Sequence, residues 1–150
     1  MTNAVCESLN KSWVVTNQCR LKAVQRNKTT LNIGLTILHP ANDIYMRLQL
    51  LKRANGYKPF LVDYTINACE FIRRRNQPVI KVFFDLIKDF TTMNHSCPYV
   101  GPQGIKDLYV NPAKIPVPLP TGEYVVVQTW MFDAKPQLYS KVYFTFIEDF

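Results

Sequence analysis

The chain predicts an all-β fold, a two-sheet β-sandwich interrupted by one helical insertion. Three observations predict it. Apolar alternation of period two recurs along most of the chain, helix-period patterning is confined to the region after Asp63, and helical segments do not alternate with strands as a βαβ sheet requires. A length of 150 residues is that of one domain, residues 1–150, able to bury roughly two thirds of the surface its unfolded chain exposes.

Ser12 to Arg26 reads as one or two strands, with Trp13, Val15 and Cys19 on one face and Val14 and Val24 on the other. Leu31 to Ile37 alternates apolar with small or polar residues, as a strand with one buried face does. His39-Pro40-Ala41-Asn42-Asp43 supplies turn chemistry. A second strand then places Ile44, Met46, Leu48 and Leu50 opposite Tyr45, Arg47 and Gln49, and the two strands read as a hairpin. Asn55-Gly56 is a strong turn signal, and Pro59 confines the next segment to an edge or an irregular position.

A short helical turn is expected around Ile66 to Arg74, ending at the break Asn76-Gln77-Pro78. Pro78 suits a first helical turn, and Val79, Val82, Phe83, Leu86, Ile87 and Phe90 form an apolar stripe that predicts a helix from Pro78 to Phe90. Lys81, Asp85, Lys88 and Asp89 take the other side. Pro98 to Pro120 reads as an ordered loop with one short strand at Asp107 to Val110. Gly122 to Phe132 and Leu138 to Glu148 form the strongest strand pair, with Ala134-Lys135-Pro136-Gln137 near the connection. Val125, Val127 and Met131 oppose Tyr124, Val126, Trp130 and Phe132, so both faces are apolar and part of the outer surface is expected to be covered or to form an interface.

Eighteen Lys and Arg against eleven Asp and Glu give a net charge of +7, which favours encounter with anionic surfaces. The basic residues are scattered and no nucleic-acid motif is present, so nucleic acid is not an expected partner. Arg73-Arg74-Arg75 is the one dense run; it suits an anionic headgroup, or more simply a helix end where cations complement the dipole. The two histidines, His39 and His95, lie in no G-x-S-x-G or comparable setting, Asp85 and Asp89 alternate with lysines as a solvated face does, and the five glycines form no phosphate loop. The chain is therefore expected not to be an enzyme and to use no cofactor.

Cys6, Cys19, Cys69 and Cys97 lack zinc-site spacing and read as disulfides, with all three connectivities of four cysteines open on spacing alone. Asn10-Lys11-Ser12, Asn27-Lys28-Thr29 and Asn94-His95-Ser96 match the glycosylation pattern. All three are candidate acceptors, with Asn10 and Asn27 expected to be accessible and Asn94 set apart from them because it abuts Cys97. Disulfides and sequons together predict a secreted, extracellular chain. No apolar leader precedes Ala4, so the signal peptide is expected to have been removed.

The segment Asn94-His95-Ser96-Cys97-Pro98-Tyr99, leading to Leu119-Pro120-Thr121-Gly122-Glu123-Tyr124, resembles the ganglioside-activator branch of the ML lipid-recognition family. Together with Cys19-Arg20-Leu21-Lys22, the run Lys52-Arg53-Ala54-Asn55-Gly56-Tyr57-Lys58-Pro59-Phe60-Leu61, and Cys69-Glu70-Phe71, it is similar to a large insect family of small secreted proteins of unknown function, relatives of CheB-type chemosensory proteins. The ML resemblance implies an immunoglobulin-like sandwich or open cup, with the helical insertion between Cys69 and Cys97 at its mouth. It also implies the bridge Cys69–Cys97, which leaves Cys6 for Cys19.

The same resemblance implies a cavity for a lipid, glycolipid or hydrocarbon between the sheets. Leu48, Leu50, Phe83, Leu86, Ile87, Phe90, Val126, Trp130, Phe144 and Phe146 are its candidate lining residues. Each methylene buried there contributes about 0.8 kcal/mol. A membrane surface or a receptor protein is a further expected partner. The rival expectation is an extracellular interaction module with a solid core, and a continuous apolar void separates the two.

Overall fold

A computed structural model describes residues 1–26, 28–74, 77–110 and 119–147. The elements run β1 (Asn3–Ser8), β2 (Val14–Gln25), β3 (Lys28–Ala41), β4 (Ile44–Arg53), β5 (Tyr57–Asn67), α1 (Ala68–Arg74), α2 (Pro78–Ile87), β6 (Tyr99–Leu108), β7 (Gly122–Phe132) and β8 (Lys135–Phe146). Among the described residues they form two antiparallel sheets: a larger one ordered β1-β8-β7-β4-β5 and a smaller one ordered β2-β3-β6. The chain is thus an all-β, two-sheet sandwich with its helices between β5 and β6.

Alternation builds the interior. Ile44, Met46, Leu48 and Leu50 of β4 and Leu31, Ile33, Leu35 and Ile37 of β3 are all buried in one core. The hairpin expected of these two strands does not form. β3 pairs with β2 and β6, whereas β4 pairs with β5 and β7. β3 continues through His39 and Pro40 to Ala41, which pairs with Tyr99, and the chain then crosses to the other sheet at Asn42-Asp43. Period-two patterning states which face is buried but not which sheet a strand joins.

β2 corrects the expected parity. A bulge between Thr16 and Gln18 shifts the register, so Val14 and Thr16 align with Ile37 and Leu35 while Cys19 and Leu21 align with Ile33 and Leu31. Trp13, Val15 and Cys19 therefore do not share a face, and Val15 is exposed. β1, too short and too polar to signal itself, pairs along β8.

β6 replaces most of the expected loop. It is an edge strand, where Pro102 lacks a donor only on a side that needs none, and Asp107 turns the backbone to positive φ near its end. Residues 111–118 of the same stretch lie outside the described residues. Gly104 faces Gly34 on β3, and a Cβ at Gly104 would come within 2.0 Å of the Ile33 carbonyl oxygen. Gly104→Ala should therefore cost about 2–3 kcal/mol in urea unfolding, because only backbone displacement relieves the overlap. Gly34→Ala, which meets a Gln18 side-chain carbon at an ordinary 3.4 Å, should cost less than about 1 kcal/mol.

The β7–β8 turn lies at Asp133-Ala134, both at positive φ, so β8 starts at Lys135, ahead of the expected Leu138. The expected strand end at Glu148 lies outside the described residues. On the outer face Val125 and Val127 are buried. Tyr57 of β5 and Tyr143 of β8 meet with ring centroids 5.7 Å apart, although β4 and β7 lie between their strands. The rings must therefore close over the intervening strands, where Val125 aligns with both Leu51 and Tyr143. The sheet covers its own apolar outer residues.

The disulfides are Cys6–Cys19 and Cys69–Cys97, the pairing that the resemblance implied, and no described cysteine is free. Cys6–Cys19 joins edge strand β1 of the larger sheet to edge strand β2 of the smaller. Cys69–Cys97 joins α1, which follows the opposite edge strand β5, to the segment entering β6. The sandwich is stapled at both sides.

Candidate functional site

The space between the two sheets is not filled. It holds a cavity of about 300 Å³, walled by β3 and β6 of the smaller sheet, by β4, β7 and β8 of the larger, and by both helices. Its size is at the lower end of the range for ligand pockets. The wall is almost wholly apolar, and no Lys, Arg, His, Asp or Glu side chain of the described residues belongs to it.

The helices take their places for local reasons. Asn67 caps α1 by accepting a hydrogen bond from the Glu70 amide at 3.1 Å, and Pro78 opens α2, whose first-turn amide would lack a partner in any case. Phe71 and Phe84 then join the two helices edge to face, 5.6 Å between centroids. Only Ile80 and Phe84 of α2 are fully buried; Phe83, Leu86 and Ile87 line the cavity while remaining half-exposed, so the helix carries the wall out to solvent. On its far side Asp85 pairs with Lys88 at 3.6 Å and Lys81 at 4.0 Å, the solvated face expected.

Nine of the ten candidate lining residues come together at this wall: Leu48 and Leu50 from β4, Phe83, Leu86 and Ile87 from α2, Val126 and Trp130 from β7, and Phe144 and Phe146 from β8. Phe90 does not. The helix ends at Ile87, three residues earlier than its apolar stripe suggested, and the Phe90 carbonyl accepts the Lys106 amide, drawing residue 90 to the edge of β6. Sequence reading also missed Leu31, Ile33, Leu35 and Met46, whose strand faces it had identified but not placed opposite one another.

Polar residues were missed as well: Thr16, Thr91 and Thr145 line the cavity, as do Gln128 and Ser140. Gln128 shares strand parity with Val126 and Trp130, and Ser140 with Phe144 and Phe146, so both were legible from the same alternation. Gln128 and Ser140 are register partners across β7 and β8, and both face the cavity. Ser140 is 7% exposed. Tyr99 is buried at the wall, where desolvation raises its hydroxyl pKa, and the hydroxyl donates to the His95 carbonyl. Met1 also touches the wall, and burial lowers the pKa of its α-amino group.

The histidines lie elsewhere. His39 is exposed and its carbonyl accepts the Trp13 indole at 2.9 Å; His95 meets Tyr99 at a tilt, ring centroids 4.4 Å apart, near Cys97, whose sulfur is held in a disulfide and is no nucleophile. Among the described residues no three His, Cys, Asp or Glu converge as metal ligands, and no helix is long and apolar enough to cross a membrane. Arg73 and Arg74 are exposed, Arg74 pairing with Glu70 at 3.5 Å, and Arg75 lies outside the described residues.

Of the sequons, Asn94 is exposed, its amide donating to the Lys88 carbonyl at 3.1 Å. Asn10 is half-buried, its side-chain oxygen accepting from the Ser12 hydroxyl at 2.6 Å, and Asn27 lies outside the described residues.

A family model described as a protein of unknown function (DUF1091) matches residues 46–126, just over half of the chain. The match runs from β4 through both helices and the Cys69–Cys97 bridge into β7, and stops short of Gln128, Trp130 and all of β8. No curated protein matches the chain.

Proposed function

The chain belongs to the DUF1091 family, whose function is unknown, and from that premise we propose that it is an extracellular, non-catalytic carrier that encloses one apolar or amphipathic small molecule between its sheets. The observation that carries this reading is the apolar cavity of about 300 Å³. A solid interaction module would have filled that space with side chains, since interiors are otherwise close-packed. Binding proceeds by burial, each methylene removed from water contributing about 0.8 kcal/mol. The ligand class is a lipid, glycolipid or hydrocarbon, and the likeness to ML proteins and to insect CheB-type proteins supports the same assignment.

Two disulfides support an oxidising, secretory setting. Asn10, Asn27 and Asn94 are the acceptors for glycosylation there, Asn94 being exposed among the described residues. A membrane surface or receptor is the further partner, met by the net charge of +7 and the exposed Arg73 and Arg74.

Native mass spectrometry of the protein recovered from a eukaryotic secretory host tests the reading. Adduct masses that organic extraction removes, together with saturable rebinding of a long-chain alkyl probe at one equivalent, are expected. An unliganded protein that binds no alkyl probe across lipid classes would return the assignment to an interaction module.

A further inference from the structure

Gln128 and Ser140 stand out in the cavity because nothing else in the molecule uses them. They occupy one row across the larger sheet, Leu48 on β4, Gln128 on β7, Ser140 on β8 and Cys6 on β1, and all four line the cavity. Among the described residues neither the Gln128 amide nor the Ser140 hydroxyl has a hydrogen-bond partner, and neither is shut away from the cavity in the way that the Gln137 side-chain oxygen is enclosed by protein. Leaving a buried polar group unpaired costs about 1–3 kcal/mol, so where the protein supplies no partner a water or a ligand ordinarily does.

We propose that this pair is a polar anchor inside the cavity, and that the ligand is a neutral long-chain molecule bearing an isolated oxygen function, such as an alcohol, ketone, aldehyde or ester. The inference rests on the carrier reading above and narrows it. The amide offers two donors and an acceptor, and the hydroxyl offers a donor and an acceptor, so together they satisfy either a carbonyl or a hydroxyl. In the free protein the cavity is roomy enough for a water to pair with both groups. A saturated hydrocarbon filling the cavity would displace that water and leave both groups unpaired. A carboxylate would meet no Lys, Arg or His side chain of the described residues at the wall; the Met1 α-amino group is the basic group there, and burial disfavours its charged form, so the carboxylate's desolvation would be poorly compensated.

The test is calorimetric titration of the disulfide-intact protein with dodecane, dodecanol, dodecanone and dodecanoate, each delivered from cyclodextrin. Ser140→Ala and Gln128→Leu should each weaken dodecanol and dodecanone binding by about threefold to tenfold, the worth of one or two hydrogen bonds, and leave dodecane unchanged or tighter. In the parent, dodecanoate should bind at least about tenfold more weakly than dodecanol at neutral pH. Ser140→Ala removes a single atom and carries the test by itself if Gln128→Leu does not fold.

Equal weakening of dodecane and dodecanol by a substitution overturns the anchor, as does dodecanol binding that neither substitution alters. Dodecanoate binding tighter than dodecanol overturns the neutral ligand. If the parent binds none of the four, the carrier reading falls and this inference with it, whereas binding without discrimination removes only the inference.

Discussion

Replacing Cys69 and Cys97 together by alanine should lower the unfolding free energy by about 3.5 kcal/mol, and replacing Cys6 and Cys19 by about 3 kcal/mol. The order follows from sequence separations of 28 and 13 residues, since a longer closed loop removes more freedom from the unfolded chain. Urea unfolding of each double variant against the parent measures both losses. The cavity raises what is at stake, because neither sheet can close on the other to make up the loss while that space remains empty. A loss below about 1 kcal/mol from either replacement would mean that interface packing alone holds the two sheets together.

Phe83→Asp should weaken binding of a long-chain alkyl probe by at least about tenfold in a protein that still folds. Phe83 touches the cavity and is half-exposed, so the carboxylate either enters an apolar wall that has no cationic side chain or turns to solvent and opens the wall to water. Phe83→Leu, which keeps the wall apolar, should stay within about threefold of the parent. Arg74→Ala should leave probe affinity unchanged and reduce only attachment to anionic vesicles, an effect that fades as salt rises. Near-ultraviolet circular dichroism establishes that each variant is folded, and parent-like affinity in a folded Phe83→Asp protein would remove α2 from the site.

Strand parity was the most legible property of this sequence. Leu48 and Leu50, Val126 and Trp130, and Phe144 and Phe146 each lie an even number of residues apart on one strand, two, four and two, and alternation alone puts each pair on one face. That all six meet at one wall required knowing that β4, β7 and β8 are neighbours, which is a long-range fact. The same gap produced the mistaken hairpin, since β3 and β4 carry identical patterning but belong to opposite sheets. A single bulge near Asn17 was enough to reverse the faces assigned to β2.

β6 was hidden for a different reason. Pro102, Gly101 and Gly104 read as loop residues, yet an edge strand tolerates a missing donor, and Gly104 is required by close approach to Ile33 rather than by a turn. Phe90 failed because an apolar residue in helical phase does not ensure that the helix lasts long enough to use it. Gln128 and Ser140 went unremarked because they are polar, although parity had already placed them on the same wall as their apolar neighbours.

The two tryptophans stand in sharply different settings. Trp13 is fixed against Phe132, centroids 5.3 Å apart, with its indole held by His39, whereas Trp130 lines the cavity. Whatever fills that space changes the surroundings of one indole and leaves the other as it was. The protein therefore carries an intrinsic optical reporter of occupancy beside an internal reference, and a Trp13→Phe variant would isolate an emission band whose colour and intensity follow loading and release in real time without any attached dye.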